Sequence, residues 1–417
     1  MSANGRYVAF ESNASNLVAG DTNGVRDVFR LDLQTGVAER VSVDSSGVQG
    51  NGGSGSPNSV SFAVAISADG TRVAFPSSAT NLVAGDTNGV MDAFVRDLSA
   101  GTTTRVSVDS SGAQANGNSG VDGVGNIGIS ISADGTRVAF QSWATNLVPG
   151  DTNNWMDIFV RNLTAGTTTR VSVSSAAVQA NGECNDPKIS GNGTRVAFTS
   201  QASNLVTGDS NAATDTFVHD LAAGTTTRVN VDGSGLQAEW GGSRSTINFD
   251  GTRVAFNSSD PNLVPGDTNF FTDVFVRDLT AGTTSRVSVD SSGLPGNSDS
   301  FLPSLSSDGM RVAFSSTATN LIGGDTNGVV DVYVRDIASS TTTRVSVSSA
   351  GVQSNGPSGY ASANSAGTRI AFLSEATNLV PGDSNGLADV FVHDVPTGTT
   401  WGPGPGNSTV YHWALYD

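Results

Sequence analysis

The chain has 417 residues, a formal net charge of −17, 50 glycines and a single cysteine, Cys184. Such acidity leaves no basic footprint for nucleic acid or an anionic membrane surface, and one cysteine excludes an internal disulfide. There is no run of about 18 apolar residues, so no membrane-spanning helix is expected.

Met1–Gly5 leads straight into a strand-like segment, Arg6–Phe10, and no signal peptide is visible ahead of it; an export signal would lie outside this sequence. The phenylalanine of that segment recurs at Phe10, Phe75, Phe140, Phe198, Phe256, Phe314 and Phe372, at spacings of 65, 65, 58, 58, 58 and 58 residues. Self-similarity at such a period marks a repeat architecture. The seven units run near 1–65, 66–130, 131–188, 189–246, 247–304, 305–362 and 363–400, followed by a divergent tail at 401–417.

The third unit shows the predicted elements in order. A short strand at 130–132 precedes the turn Ala133-Asp-Gly-Thr136. A second strand covers 137–142, and a long loop reaches 157. A third strand covers 158–163, a turn follows, and a fourth strand covers 169–173 before a Gly/Ser/Asn-rich linker. The third strand is apolar on both faces, as in Val274-Phe275-Val276, and such a strand is buried on both sides. Four-stranded sheets stacked around an axis supply that environment. The expected fold is therefore all-β, a single seven-bladed β-propeller of four-stranded antiparallel blades over residues 1–400.

"SADGTRVAF" at Ser67–Phe75 and "DAFVRDL" at Asp92–Leu98, with their equivalents in every unit, resemble the TolB-type, WD40-like propeller repeat. The resemblance covers residues 1 to about 400 and implies a fold far more than a function. The first unit begins near the end of its first strand, so blade one is expected to lack most of its innermost strand. The tail segment Asn407–Asp417 has three readings: the ring-closing strand, the outer strand of blade seven, or a foreign segment.

Alternating strand directions put the long loop between second and third strands on the same face as the linkers, and binding sites favour long loops on rigid scaffolds. Each of these loops carries Asp-x-Asn-x-x-x-Asp: Asp21, Asn23, Asp27; Asp86, Asn88, Asp92; Asp151, Asn153, Asp157; Asp209, Asn211, Asp215; Asp267, Asn269, Asp273; Asp325, Asn327, Asp331; and Asp383, Asn385, Asp389. Oxygen ligands at alternate positions followed by a further carboxylate suit Ca2+. Seven such ions would cancel most of the negative charge. The pattern resembles the calcium loops of integrin-type propellers, although the first acidic ligand is replaced by Ala19, Ala84, Pro149, Thr207, Pro265, Gly323 or Pro381. The competing reading is a set of Asx-turns that need no metal.

Of 20 arginines, 17 fall in register: seven in the second strand, six in the fourth and four in the third. That regularity reads as structural pairing with strand and turn carboxylates. His219 and His393 replace third-strand arginines, His412 lies in the tail, and the five glutamates are scattered, so no nucleophile–His–acid arrangement stands out. The repeat breaks most around Trp143, Trp155, Trp240, Arg244, Phe270 and Phe271. Aromatic faces beside polar groups suit a sugar or peptide; the alternative is that they fill gaps between loops.

The expected function is a non-enzymatic, calcium-stabilised binding or display module of an exported bacterial protein, extracellular or periplasmic and monomeric. Its partner would be a protein, peptide or carbohydrate on the long-loop face. Two alternatives stand beside it: a hydrolase, glycosidase- or peptidase-associated, with a site at the axial channel mouth, and a recently amplified scaffold with no separate activity.

Overall fold

A computed structural model describes residues 1–56, 64–121, 128–384 and 386–402. The described residues form strands and turns with no helix. Seven antiparallel sheets follow one another along the chain, six of four strands and the first of three. They are the blades of a β-propeller. Blade one holds Tyr7–Ser12, Asp27–Asp32 and Val37–Arg40, and among the described residues it lacks an innermost strand, as the sequence implies. Residues 403–417 lie outside the described residues, and so do the ring-closing and foreign-segment readings of the tail; blade seven takes its outer strand from Thr399–Trp401 ahead of it.

The chain packs as two compact units, one of residues 1–212 with 217–227 and the other of 213–216 with 228–417. In both, the core lies between successive blades. In the first unit Val28 and Val41 of blade one pack with Val73, Phe75 and Phe94 of blade two. In the second, Val274, Val276 and Val287 of blade five pack with Val312, Phe314 and Tyr333 of blade six.

Within a blade the second and third strands pair in full register, as in Arg253–Ser258 against Asp273–Asp278. This register sets one aromatic ring opposite another. Phe256 and Phe275 stack at 5.8 Å between centroids, Phe140 and Phe159 at 5.8 Å, and Phe314 and Tyr333 at 5.9 Å. Such a pair contributes roughly 1 kcal/mol beyond its area burial. Val274, Phe275 and Val276 are all buried, which the two-sided apolar pattern anticipates.

The fourth strand is shorter than the sequence suggests. In blade three it covers Thr167–Arg170, not 169–173. Ser172 turns its hydroxyl onto Asp157 at 2.5 Å, and Val173 bridges to Gln179, so the chain leaves the sheet edge after Arg170.

In blades one to six the turn after the fourth strand is latched by the next blade. Thr103 Oγ1 donates to Val43 O at 2.5 Å and Arg96 Nη1 to Asp44 O at 2.9 Å. The same pair of bonds joins Thr342 to Val289 at 2.6 Å and Arg335 to Asp290 at 2.9 Å. The innermost strands Cys184–Ile189, Ser243–Ile247, Ser300–Leu305 and Ser358–Ala363 each shift register against the second strand. The extra residue is Asp186, Arg244, Leu302 or Tyr360, with φ between 53 and 55°. Left-handed backbone at an extra residue is how a bulge bends a strand.

Candidate functional site

Asp273 opens the third strand of blade five and shares a face with Phe275 two residues on. Arg286 ends the fourth strand directly opposite Phe275. Its guanidinium therefore reaches diagonally to the loop. Nη1 lies 2.9 Å from Asp267 Oδ1 and 3.0 Å from Asp273 Oδ2.

The same clamp recurs along the chain. Arg40 meets Asp21 at 3.2 Å and Asp27 at 3.4 Å; Arg105 meets Asp86 at 3.3 Å and Asp92 at 3.5 Å. Arg170 meets Asp151 at 3.5 Å and Asp157 at 3.4 Å; Arg344 meets Asp325 at 3.5 Å and Asp331 at 3.7 Å. In blade four Arg228 meets Asp215 at 3.2 Å. Blade seven differs, because Gly402 stands at the arginine position. Asn385 lies outside the described residues.

The loop asparagine completes the turn. Asn269 Oδ1 accepts the amide of Phe271 at 3.1 Å, while its Nδ2 donates to Gly296 O at 3.0 Å and Asp273 Oδ2 at 3.3 Å. Asn23, Asn88 and Asn327 repeat this pattern. Asn153 makes the turn bond at 2.9 Å and the carbonyl bond at 2.8 Å. In five blades the second carboxylate accepts a hydroxyl from the chain beyond the fourth strand, Ser42 on Asp27, Ser107 on Asp92, Ser172 on Asp157, Ser288 on Asp273 and Ser346 on Asp331, each at 2.5 Å; in blade four the Asn230 side-chain amide donates to Asp215 at 2.5 Å instead. Burial pushes the carboxyls of Asp27, Asp92, Asp157, Asp273 and Asp331 above their ordinary value, against the pull of these hydroxyls and of the arginines.

These loops do not fit a calcium ion lodged between the two carboxylates. Calcium needs six to eight oxygens, whereas in five blades a guanidinium already faces both carboxylates. The adjoining glutamine is engaged as well. Gln114 Oε1 accepts Arg105 at 2.6 Å, and Gln179 Nε2 donates to Asp151 and Asp157, each at 2.8 Å. A divalent ion set there would sit against a fixed positive charge. The signal for the clamp partner was in the sequence, in the constant position of the fourth-strand arginine.

The remaining arginines also pair within the repeat. Second-strand Arg72, Arg253 and Arg311 meet turn carboxylates Asp97, Asp278 and Asp336 at 2.9, 3.0 and 2.8 Å. His219 and His393 are buried and bonded to Thr226 and Thr400 at 2.9 and 2.8 Å. Burial lowers both imidazole pKa values, so the rings are neutral at pH 7. Cys184 is buried, which pushes its thiol up.

The repeat-breaking aromatics are exposed: in the first unit Trp143 and Trp155, in the second Trp240, Phe270 and Phe271. Trp240 and Phe270 come together, with ring centroids 6.0 Å apart and planes tilted by 30°. Arg244 lies in the bulge of an innermost strand, with φ 53°. Sequence reasoning missed Asp260. It is buried, and it accepts the amides of Trp240 at 2.9 Å and Asn262 at 2.7 Å. The signal was available, since the other six blades carry Ala14, Ala79, Ala144, Ala202, Ala318 or Ala376 there.

No family model and no curated protein matches the chain. Solved structures do. An oligogalacturonate lyase from Vibrio parahaemolyticus matches with a TM-score of 0.54 and 13% identity, over 95% of this chain and 88% of that one. A puromycin-hydrolyzing peptidase from Mycobacterium tuberculosis matches at 0.55 and 13%, over 95% and 52%. The fold is shared; the chemistry is not carried over at such identity. TolB from Acinetobacter baumannii is also among the matches, at 0.44 and 15% over 82% of this chain. The chain spans 64% of that TolB and about half of the peptidase.

Proposed function

We propose that this chain is a non-enzymatic binding or display module of an exported bacterial protein, carried on a propeller whose acidic loops are closed by arginine. One observation carries the reading. Most groups capable of chemistry are absorbed by the repeat, whereas the side chains that leave it are exposed aromatics on the long loops and linkers. The clamps hold the carboxylates, the latches hold the third-strand arginines, and both described histidines bond threonine hydroxyls. On the long loops and linkers, what faces solvent and differs between blades is Trp143, Trp155, Trp240, Phe270 and Phe271; Phe249 in a short turn and Trp401 in the last strand are exposed as well. Such surfaces recognise ligands.

The test is a paired assay of the purified chain. Fluorogenic peptides and aryl glycosides measure turnover, while immobilised polysaccharides and peptide arrays measure retention. Retention without turnover supports the module. Turnover that disappears on substitution of one residue of this chain overturns it in favour of a hydrolase.

A further inference from the structure

Three departures from the repeat coincide at the linker between blades four and five and the long loop of blade five, all within the second unit. Trp240 stands where other linkers carry Gly52, Gly117, Gly182 or Gly356, with Ser298 in the remaining one. Asp260 stands at the alanine position. Phe270 stands where other loops carry Gly24, Gly89, Gly328 or Gly386, with Asn154 and Ala212 in the remaining two.

Phe270 keeps the backbone of the glycine it replaces, with φ 57° against 66° at Gly328. That conformation costs a bulky residue about 1–2 kcal/mol, and the ring is 63% exposed. Packing does not account for the residue, because a Cβ added at Gly24, Gly89 or Gly328 meets nothing within 4 Å. A side chain here projects into open space. Strain and exposure together, with no gain in the core, mark a site kept for contact with something else. Trp240 is 52% exposed and leans on Phe270. Its backbone is held by buried Asp260, which also caps the Asn262 amide.

We propose that Trp240 and Phe270, with Phe271 beside them, form a platform that stacks against the apolar face of a neutral sugar ring in a polysaccharide. This rests on the binding-module reading above and names its ligand class. Two tilted, exposed rings offer flat faces rather than a closed pocket, which suits the C–H face of a pyranose better than an inserted peptide side chain, whose anchors need a desolvated recess. Exposed Glu239, adjoining Trp240, supplies an acceptor for hydroxyls. The net charge of −17 disfavours an acidic polysaccharide.

Native gels cast with hydroxyethylcellulose, xyloglucan, galactomannan or polygalacturonate test the platform on the intact chain, beside Phe270→Gly and Trp240→Gly. Both substitutions restore a residue that other blades carry, and Phe270→Gly relieves backbone strain, so its thermal midpoint is expected to hold or rise. The expected result is retardation in at least one neutral gel and none in polygalacturonate, weakened about tenfold or more by either substitution. Retardation that both variants retain overturns the platform while leaving the module reading intact. Absence of retardation in every neutral gel overturns the sugar assignment. Capture of arrayed hydrophobic peptides, lost in the same two variants, overturns it in favour of a peptide.

Discussion

Arg286 closes on Asp273 from the neighbouring strand, Nη1 to Oδ2 at 3.0 Å, with the side chains 9% and 0% exposed. Removing one partner of a buried pair costs more than the pair contributes, because the other charge stays behind without its counter-ion. Arg286→Met keeps most of the volume and leaves Asp267 and Asp273 facing each other. Its expected cost is about 3 kcal/mol in urea unfolding. Adding Asp273→Asn to that variant should recover part of the loss. A loss under the double substitution equal to the two single losses combined would mean that the residues are not coupled.

The clamp also bears on metal dependence. A calcium-closed loop would gain about 2.7 kcal/mol per site at a hundredfold excess of ion over Kd, and several such sites would move the thermal midpoint by many degrees. Arginine-closed loops gain nothing from the ion. The midpoint is expected to be the same in excess EDTA and in millimolar CaCl2. A large calcium-specific rise would show that the guanidinium yields its place to metal.

Acid acts on two sets of carboxyls with opposite sign. Arg6 holds Asp32 well below the ordinary range. Burial alone would raise Asp97, but bonds from Ser99, the Ala100 amide and Arg72 hold it down to about 2. Groups depressed in the folded state stabilise it above the unfolded value of about 3.9 and lose that contribution as pH falls through the folded value. Asp27, Asp92, Asp157, Asp273 and Asp331 are raised by burial, so ionising them costs the folded state, and mild acid relieves that cost. These carboxyls favour the folded state towards mild acid, while buried His219 and His393, lowered in the folded state, oppose it as the unfolded chain takes up protons below about pH 6.5, so the urea midpoint should change little from pH 7 towards mild acid. It should then fall steeply below about pH 4 as the turn aspartates protonate. A steady decline beginning near neutrality that persists when His219 and His393 are both replaced by Gln would contradict this balance.

Much of this was legible in the sequence because the repeat multiplies each signal. Seven phenylalanines at a near-constant spacing fix the blades, and Val274-Phe275-Val276 fixes a strand buried on both faces. The arginine register announced structural pairing, but not which carboxylates it reaches. That depends on Arg286 lying opposite Phe275, a matter of strand pairing rather than spacing. For the same reason the loops read equally well as cation sites, since Asp, Asn and Asp in alternation serve a metal and an Asx-turn alike. The fourth strand was drawn too long because Val171 and Val173 are good strand formers; the Ser172–Asp157 bond overrides that preference. Asp260 went unnoticed because one acid in a long loop carries no pattern until its alanine counterparts are aligned.

The latch residues vary together, and that pairing can be tested. Arg96, Arg161, Arg277 and Arg335 donate to the carbonyls of Asp44, Asp109, Asp232 and Asp290, each at 2.9 Å. Where the turn carries Ser174 or Ser348 instead of aspartate, the latch residue is His219 or His393. Serine and aspartate make the same turn: Asp290 Oδ1 accepts the Leu294 amide at 2.8 Å, and Ser348 Oγ accepts that of Val352 at 3.2 Å. What differs is charge. An arginine at the seam brings a buried cation that the turn aspartate offsets, and a neutral imidazole needs no such partner. His393→Arg alone should therefore destabilise the chain, and Ser348→Asp alone should change it little. Together they should recover most of the loss, with a coupling of about 1 kcal/mol in a double-mutant cycle read by urea unfolding. A coupling near zero would reduce the covariation to inheritance from duplicated blades.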